Sequence, residues 1–437
     1  MDKIKVIFDV TIIANVRNNV KSGIFSVARA LLIEFMQKEE IELKLFCREN
    51  DRDLVWKNLK TYANAHNLPC EFESDIVLPA PFYKRLAKKF LSLLPQNFAH
   101  RLTILIKKFI PKDKNLNSMC AEKNIKKISN DEFFFSPIFA VPHKYRSINN
   151  CIFIHDTIPL IFTEYKNSPD NAWFFELCKS LGTDDICFAN SAYTKADFLK
   201  YLPHLKPENI IVTPLACDER FKPANADEIA RARKKYNIPE NKKYIFSLCT
   251  LEPRKNLIRA VKCFANFISK NNIDDLVFVL GGAHWDAFIE KLENEIGSLD
   301  ENIKSKILKI GYVDDSDQAA LYSGALFFVY TSQYEGFGLP PLEAMSCGTP
   351  VITSNNSSLP EVVGNAGIMI DYDDDEAHIK AYESYYYNEN LRQENSKKGL
   401  ERAKLFSWKK CADIMITEMK KRVLIKNTQG EKQNEED

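Results

Sequence analysis

The fold is decided by the stretch at residues 334–352, YEGFGLPPLEAMSCGTPVI. It follows an apolar run at 325–330, which predicts a buried strand. Two glycines flank Phe337, so the backbone there can approach a ligand closely or adopt a positive φ. Pro340 fits the first turn of a helix, and Gly348 stands where a left-handed cap would end it. The pattern predicts a strand, a glycine loop and a helix N-terminus, which together suit an anion.

Two carboxylates frame this predicted anion site. Glu335 lies in the loop, and Glu343 lies near the start of the helix. Both could accept hydrogen bonds from paired hydroxyls, such as those of a ribose or a hexose. Alternatively, Glu343 only complements the helix dipole and Glu335 is a solvated loop residue. The pair alone leaves both interpretations open.

The flanking residues carry a resemblance that favours the first interpretation. The stretch resembles the signature of the family 4 retaining glycosyltransferases, two glutamates separated by seven residues with Gly-Phe-Gly-Leu-Pro between them. The match continues through SLPEVVG at 358–364. The resemblance implies the α/β fold called GT-B, with two Rossmann-like, doubly wound domains facing a central cleft.

Composition limits the other classes of protein. The chain has 437 residues and a formal net charge of +1, which gives no general attraction to nucleic acid. Eleven cysteines are scattered without metal-ligand spacing, as expected in a reducing cytosol. No apolar run approaches the ~20 residues of a membrane span, and the first ten residues lack the apolar core of a signal peptide. We therefore expect a cytoplasmic protein that binds no nucleic acid.

The N-terminal half begins as a nucleotide-binding fold does. A strand at 5–10 is followed by a helix from Gly23 to about residue 37, without the G-x-G-x-x-G fingerprint of a Rossmann oxidoreductase. A later apolar strand at 151–154 ends in His155 and Asp156, at the strand end where open α/β sheets bind ligands. The resemblance places Gly23 near the donor phosphates and His155 at the donor sugar. For Asp156 two roles stay open, orienting His155 or meeting the acceptor.

Residues 80–128 form a basic and apolar insertion. The segments at 83–91 and 101–110 have the spacing of short amphipathic helices. They could pack on the first domain with their lysines in solvent. They could also lie on an anionic membrane leaflet, on the inner face of the cytoplasmic membrane.

The second half supplies cations. Arg254 and Lys255 stand between a strand and a helix, where positive charge opposes the helix dipole unless an anion binds. The resemblance assigns both to the donor phosphates, although Cys249 replaces the glycine usual in the family. It also assigns the nucleobase edge to the backbone around Tyr312 and Val313.

Acidic residues elsewhere are expected to cap helices. The run Asp373-Asp374-Asp375 precedes a predicted helix, so we interpret it as a cap and predict no metal site. Asp314 and Asp315 are likewise expected to cap the helix that follows them. The predicted domains are 1–214 and 215–404, then a helix at 405–425 that crosses back to the first domain, and a polar tail at 426–437.

Together these features predict a retaining hexosyltransferase that needs no metal or cofactor. Gly338 and Leu339 would meet the donor phosphates, Gly336 and Phe337 the donor sugar beside Glu335, and Glu343 the ribose. The expected donor is GDP-mannose, because EPRKN at 252–256 and SSLPEV at 357–362 resemble the mannosyltransferase branch. The expected acceptor is a growing surface glycan, such as lipopolysaccharide, on a lipid carrier. The alternatives are a UDP-hexose donor or a non-catalytic nucleotide-sugar-binding subunit.

Overall fold

The computed structural model describes residues 3–14, 23–47, 132–146, 149–166, 168, 171–283 and 286–436. The predicted basic insertion at 80–128 lies outside these residues. The strands are β1 (Ile4–Asp9), β2 (Ile41–Phe46), β3 (Glu132–Ser136), β4 (Asn150–Ile154), β5 (Ile186–Ala189), β6 (Ile210–Val212), β7 (Lys243–Leu248), β8 (Leu276–Gly281), β9 (Ile307–Gly311), β10 (Phe327–Tyr330), β11 (Val351–Ser354) and β12 (Gly367–Ile370).

Helices separate most of these strands. They are α1 (Thr11–Ala14), α2 (Gly23–Met36), α3 (Ile158–Ile161), α4 (Thr163–Lys166), α5 (Ala172–Ser180), α6 (Ala192–Tyr201), α7 (Ala226–Lys235), α8 (Leu257–Lys270), α9 (Asp286–Gly297), α10 (Glu301–Lys304), α11 (Gln318–Ser323), α12 (Leu339–Ser346), α13 (Leu359–Val363), α14 (Asp375–Tyr387), α15 (Glu389–Ala403) and α16 (Trp408–Glu436). Within the described residues, none of these helices has the length and apolar character that crossing a bilayer requires.

The strands form two six-stranded sheets. Their orders are β2-β1-β3-β4-β5-β6 and β12-β11-β10-β7-β8-β9. The strand pairs described in both sheets are parallel. Parallel strands covered by helices are buried on both faces, which is why β8 is a continuous apolar run that is buried throughout. The predicted α/β class is confirmed.

The chain divides into two compact units, and the first comprises Met1–Ile152 with Glu418–Asp437. Its core contains a cluster of three buried aromatic rings. The Phe8 ring lies 4.8 Å from the Phe135 ring, and Phe35 of α2 stacks on Phe135 at 5.6 Å. The last part of α16 belongs to this unit, where Lys420 Nζ lies 3.0 Å from Glu40 Oε1. The helix runs to Glu436, beyond the residue 425 expected from the sequence.

The second unit is Phe153–Thr417. Here α8 presents an apolar face to the sheet, and α14 packs beside it through two buried tyrosines. Tyr385 lies 5.5 Å from the Phe327 ring of β10, and its hydroxyl donates to the Val351 carbonyl at 3.2 Å. Helices and sheet are thus joined by rings whose polar ends are also satisfied.

One of the two predicted acidic caps is as expected. Asp374 caps α14 by accepting from the Ala377 amide, and Ser191 caps α6 by accepting from the Thr194 amide. The prediction for Asp314 and Asp315 was wrong. The helix begins later, at Gln318, and these carboxylates instead pair with Lys235 and Arg220. Local sequence did not reveal those cations, which lie about 80 to 95 positions earlier in the chain.

Candidate active site

The glycine loop and helix stand where the sequence predicted them. Gly338 adopts φ +116° at the N-cap of α12, and the two prolines occupy its first turn. Gly348 follows the helix with φ +77°. Phe337 is buried with its ring 5.8 Å from Phe406, so its side chain belongs to the core. Because Pro340 and Pro341 have no N–H, the amides of Gly338 and Leu339 are the ones at this helix start that suit an anion.

Glu335 sits at the centre of a buried ionic cluster. Its Oε1 lies 2.6 Å from Lys255 Nζ and 2.9 Å from Arg254 Nη1. Arg254 also pairs with Glu252, and Lys255 donates to the Tyr330 hydroxyl at 2.6 Å. Arg254, Lys255, Glu335 and Glu252 are each no more than 9% exposed. Two cations and two carboxylates thus balance one another away from water.

The charges of this cluster reinforce one another. Burial alone would raise the pKa of Glu335, but Arg254 and Lys255 outweigh burial and lower that pKa to about 2. Burial also opposes the charge on Arg254, but Glu335 and Glu252 raise the pKa of the guanidinium well above its ordinary value. At neutral pH Glu335 is an anion and Arg254 a cation, so the cluster can exchange partners with an incoming anion without a proton transfer.

Local backbone geometry sets the direction of the Arg254 and Lys255 side chains. They belong to a short 3-10 turn, Pro253–Lys255, that follows β7. Asn256 ends this turn with φ +59°, a conformation that asparagine tolerates better than most residues, and begins α8. Its side-chain amide donates to the Tyr372 carbonyl at 2.6 Å. The turn stops the chain from entering α8 directly, and both cations point toward the Glu335 loop.

Cys249 stands at the position where the family usually has glycine. Among the described residues, those with positive φ other than glycine are Asn237, Asn256, Asn272 and Ser357, so Cys249 needs no special conformation. The neighbouring position that requires glycine is Gly282. It adopts φ +127°, and a Cβ there would lie 1.8 Å from the Cys249 carbonyl oxygen.

The ends of β4 and the glycine loop meet closely. A Cβ on Gly336 would lie 2.2 Å from the His155 carbonyl oxygen and 2.8 Å from Asp156 Cβ. Only glycine allows this approach, which brings His155 and Asp156 beside Glu335. Asp156 accepts from the Ile158 amide at 3.0 Å, and burial raises the pKa of its carboxyl, against the charge of Arg254.

The segment after β5 caps α6 and also holds the glycine loop. Ser191 and Thr194 both donate to the Gly336 carbonyl, at 2.8 and 3.1 Å. Asn190 donates to the His155 carbonyl at 2.7 Å. These three side chains fasten the glycine loop to the end of β4. The polar run at the end of an apolar strand was the available signal.

Glu343 lies in a separate environment from Glu335. The Tyr322 hydroxyl donates to its Oε2 at 2.9 Å. Burial raises the pKa of Glu343 to about 7, although Tyr322 and Arg220 oppose that rise. The two glutamates of the motif therefore differ in charge near neutral pH, a difference that spacing alone does not reveal.

The other two residues predicted to contact the nucleoside are Val313 and Tyr312, and they differ in burial. Val313 is buried, and a Cβ on Gly281 would lie 3.0 Å from its Cγ2, so its side chain belongs to the core. Tyr312 is 49% exposed.

Gly23 opens α2 in the first unit, as predicted. In the part of the chain that the structure describes, no three His, Cys, Asp or Glu residues are grouped to hold a metal ion.

Comparisons with known proteins place this site in a family. The family described as Glycosyl transferases group 1 matches residues 228–402. O-antigen chain mannosyltransferase B of Escherichia coli is 31% identical over 293 residues, 66% of this chain and 74% of that protein. Serotype-specific mannosyltransferase WbdA of Escherichia coli is 29% identical over 269 residues, 60% of this chain. The aligned part is only 32% of WbdA, so the chain spans about a third of that relative.

A solved structure supports the same assignment at the level of the fold. The crystal structure of WaaG, a glycosyltransferase involved in lipopolysaccharide biosynthesis, superposes with a TM-score of 0.59. The superposition covers 93% of this chain and 97% of WaaG at 14% identity. The two parallel sheets are thus those of the GT-B fold, as expected. With its motif residues in place and its relatives so described, the chain belongs to the group 1 glycosyl transferases.

Proposed function

We propose that this protein transfers a mannosyl group from GDP-mannose to a hydroxyl of a growing surface glycan, with retention of anomeric configuration. The observation that carries the proposal is the buried cluster in which Arg254 and Lys255 meet Glu335 beside the N-terminus of α12. The O-antigen and serotype-specific mannosyltransferases among the relatives support mannose and a surface glycan.

The cluster suits a leaving group that gathers negative charge. As the glycosidic bond breaks, charge develops on the diphosphate, and preorganised cations and amides stabilise it. Arg254 and Lys255 would bind the diphosphate, together with the backbone at Gly338 and Leu339. Because two cations and a helix N-terminus supply positive charge, the proposal needs no metal.

Glu335 has two roles in this proposal. Before the donor arrives, it neutralises the two cations and holds them in place, since buried charges require partners. Once the diphosphate takes over those cations, the Glu335 carboxylate is available to accept hydrogen bonds from the hexose hydroxyls. Burial raises the pKa of the neighbouring Asp156 carboxyl, against the charge of Arg254.

The remaining groups complete the donor site. His155 and the backbone at Gly336 and Phe337 would position the sugar. Glu343 would accept hydrogen bonds from the ribose hydroxyls. The backbone around Tyr312 and Val313 would contact the edge of the nucleobase. In the proposed mechanism the acceptor attacks from the face that the diphosphate leaves, and a donor phosphate oxygen takes the acceptor proton.

A panel of nucleotide sugars tests the proposed function. With a lipid-linked mannan acceptor, we expect GDP release and product formation from GDP-mannose, at least tenfold faster than from UDP-glucose or UDP-galactose. A preference for a UDP-hexose would replace the donor while keeping the reaction class. Tight nucleotide binding without product from any donor would favour a non-catalytic nucleotide-sugar-binding subunit.

Removing one cation tests the phosphate role. We expect Lys255→Ala to lower kcat/KM for GDP-mannose by about 10²- to 10³-fold, as loss of one charge-stabilising donor does elsewhere. Lys262→Ala, on the exposed side of α8 just after this turn, is the matched control and should stay within twofold of the wild type. Melting temperatures of both variants check folding. Near-normal turnover by a folded Lys255→Ala protein contradicts the phosphate role.

The pKa of Glu343 predicts how donor binding changes with pH. Ribose hydroxyls bind the carboxylate better than the protonated acid, and the pKa in the free protein is about 7. The KM for GDP-mannose should therefore fall about tenfold between pH 6 and pH 8. Glu343→Gln should raise KM at pH 8 and flatten this dependence. A pH profile that the substitution leaves unchanged would exclude Glu343 from donor binding.

The same group makes a stability prediction of defined sign. The folded-state pKa of Glu343 lies above its ordinary value, so folding favours the protonated acid. Stability from this group is present at pH 4 and lost as the pH rises toward and above 7. Glu343→Gln should therefore raise the melting temperature at pH 8 more than at pH 5, whereas Glu290→Gln at an exposed position should change neither.

A lipid-linked acceptor would bring the protein to the inner face of the cytoplasmic membrane. We propose that the basic insertion at 80–128, which lies outside the described residues, binds anionic lipid there. Replacing the lysines and arginines between Lys84 and Lys108 by glutamine should weaken sedimentation with vesicles that contain anionic lipid, at unchanged GDP affinity. Equal sedimentation with neutral and anionic vesicles would leave only the packing role for this insertion.

A further inference from the structure

Asp197 is a buried carboxylate on α6 that the proposed mechanism does not use. Its Oδ2 accepts from the Tyr334 hydroxyl at 2.6 Å and from the Thr157 hydroxyl at 3.1 Å. The Thr157 and Tyr334 oxygens also lie 3.1 Å apart, so the three groups form a closed triangle. All three residues are buried.

No cation of the described residues forms an ion pair with this carboxylate. Burying a carboxylate without a counterion is costly, and an apolar side chain of similar size would make a more stable contact between α6 and its neighbours. Packing alone therefore gives no reason for aspartate at this position.

Tyr334 links the Asp197 carboxylate to the backbone that carries Glu335. It is the residue immediately before Glu335, and it is fixed at both ends. Its hydroxyl reaches Asp197, and its carbonyl accepts from Arg254 Nη1 at 2.5 Å. The next amide, that of Glu335, donates to Ser357 Oγ at 2.9 Å. The backbone that carries Glu335 cannot shift without breaking one of these bonds.

We propose that Asp197 and Tyr334 are positioning residues that hold Glu335 in register with Arg254 and Lys255. The phenol acts as a strut between α6 and the glycine loop, and the carboxylate sets the position of its far end. This inference rests on the proposed function for its catalytic consequence, but its structural part concerns the loop alone.

Aromatic packing is the alternative, and one substitution separates it from the hydrogen bond. The Tyr334 ring makes edge contacts with Phe162 at 6.3 Å and Tyr193 at 5.8 Å. Tyr334→Phe keeps both contacts and removes the hydroxyl. Tyr193→Phe is the matched control, because it makes the same chemical change on a neighbouring ring that is 41% exposed.

The first measurement needs no substrate. We expect Tyr334→Phe to speed hydrogen–deuterium exchange of the amides at 334–338 about tenfold, with exchange in α8 and α14 unchanged. Asp197→Asn should give a smaller increase, since its amide oxygen still accepts. The double variant should match Tyr334→Phe, because Tyr334→Phe already removes the bond that Asp197→Asn only weakens. Exchange equal to wild type in Tyr334→Phe would overturn the proposal.

The second measurement is turnover with saturating GDP-mannose. We expect kcat of Tyr334→Phe to fall on the order of 10- to 100-fold, with the GDP dissociation constant within threefold of wild type, because misplacing a catalytic group mainly slows chemistry. Tyr193→Phe should stay within twofold. If the loop loosens but kcat is unchanged, the catalytic consequence is wrong. If wild type transfers no sugar, the proposed function fails, while the exchange result still decides whether the pair holds the loop.

Discussion

The pairing of Glu335 with Arg254 and Lys255 is the constraint on which the rest of the site depends. The cations and the carboxylate are about 80 positions apart in the chain, and all three are buried. Buried charges must be matched, so the segments that carry them must meet. They meet because β10 lies beside β7 in a parallel sheet, which places the turn after β7 and the loop after β10 at the same edge.

Three tyrosine hydroxyls serve the charged groups around this edge. Tyr322 donates to Glu343 and Tyr334 donates to Asp197, whereas Tyr330 accepts from Lys255. Burial raises the pKa of each of these phenols, so they remain neutral hydrogen-bonding groups at any physiological pH. Each ring fills core volume while its oxygen satisfies a charge, which lets ionised side chains stand in an otherwise apolar interior.

The two glutamates of the motif are tuned in opposite directions by their surroundings. Two adjacent cations lower the pKa of Glu335, whereas burial beside a neutral phenol raises that of Glu343. Glu335 is therefore a fixed anion that can exchange partners. Glu343 is a carboxyl whose charge changes near neutral pH. In the proposed function, this is the carboxyl that accepts from the ribose hydroxyls.

The sequence by itself determined the alternating α/β architecture, the strand–loop–helix at 334–352, the helix-capping role of Asp374, and the two adjacent cations. These features are local: each depends on apolar periodicity, glycine, proline or a capping residue within a few positions. Only the tertiary structure decided which residues share a cluster. These contacts join segments far apart in the chain. They are the ion pairs of Glu335, the hydrogen bonds made by Ser191, Thr194 and Asp197, and the ion pairs of Asp314 and Asp315. Such contacts follow from strand order and burial, and neither the spacing of charges nor their identity encodes them.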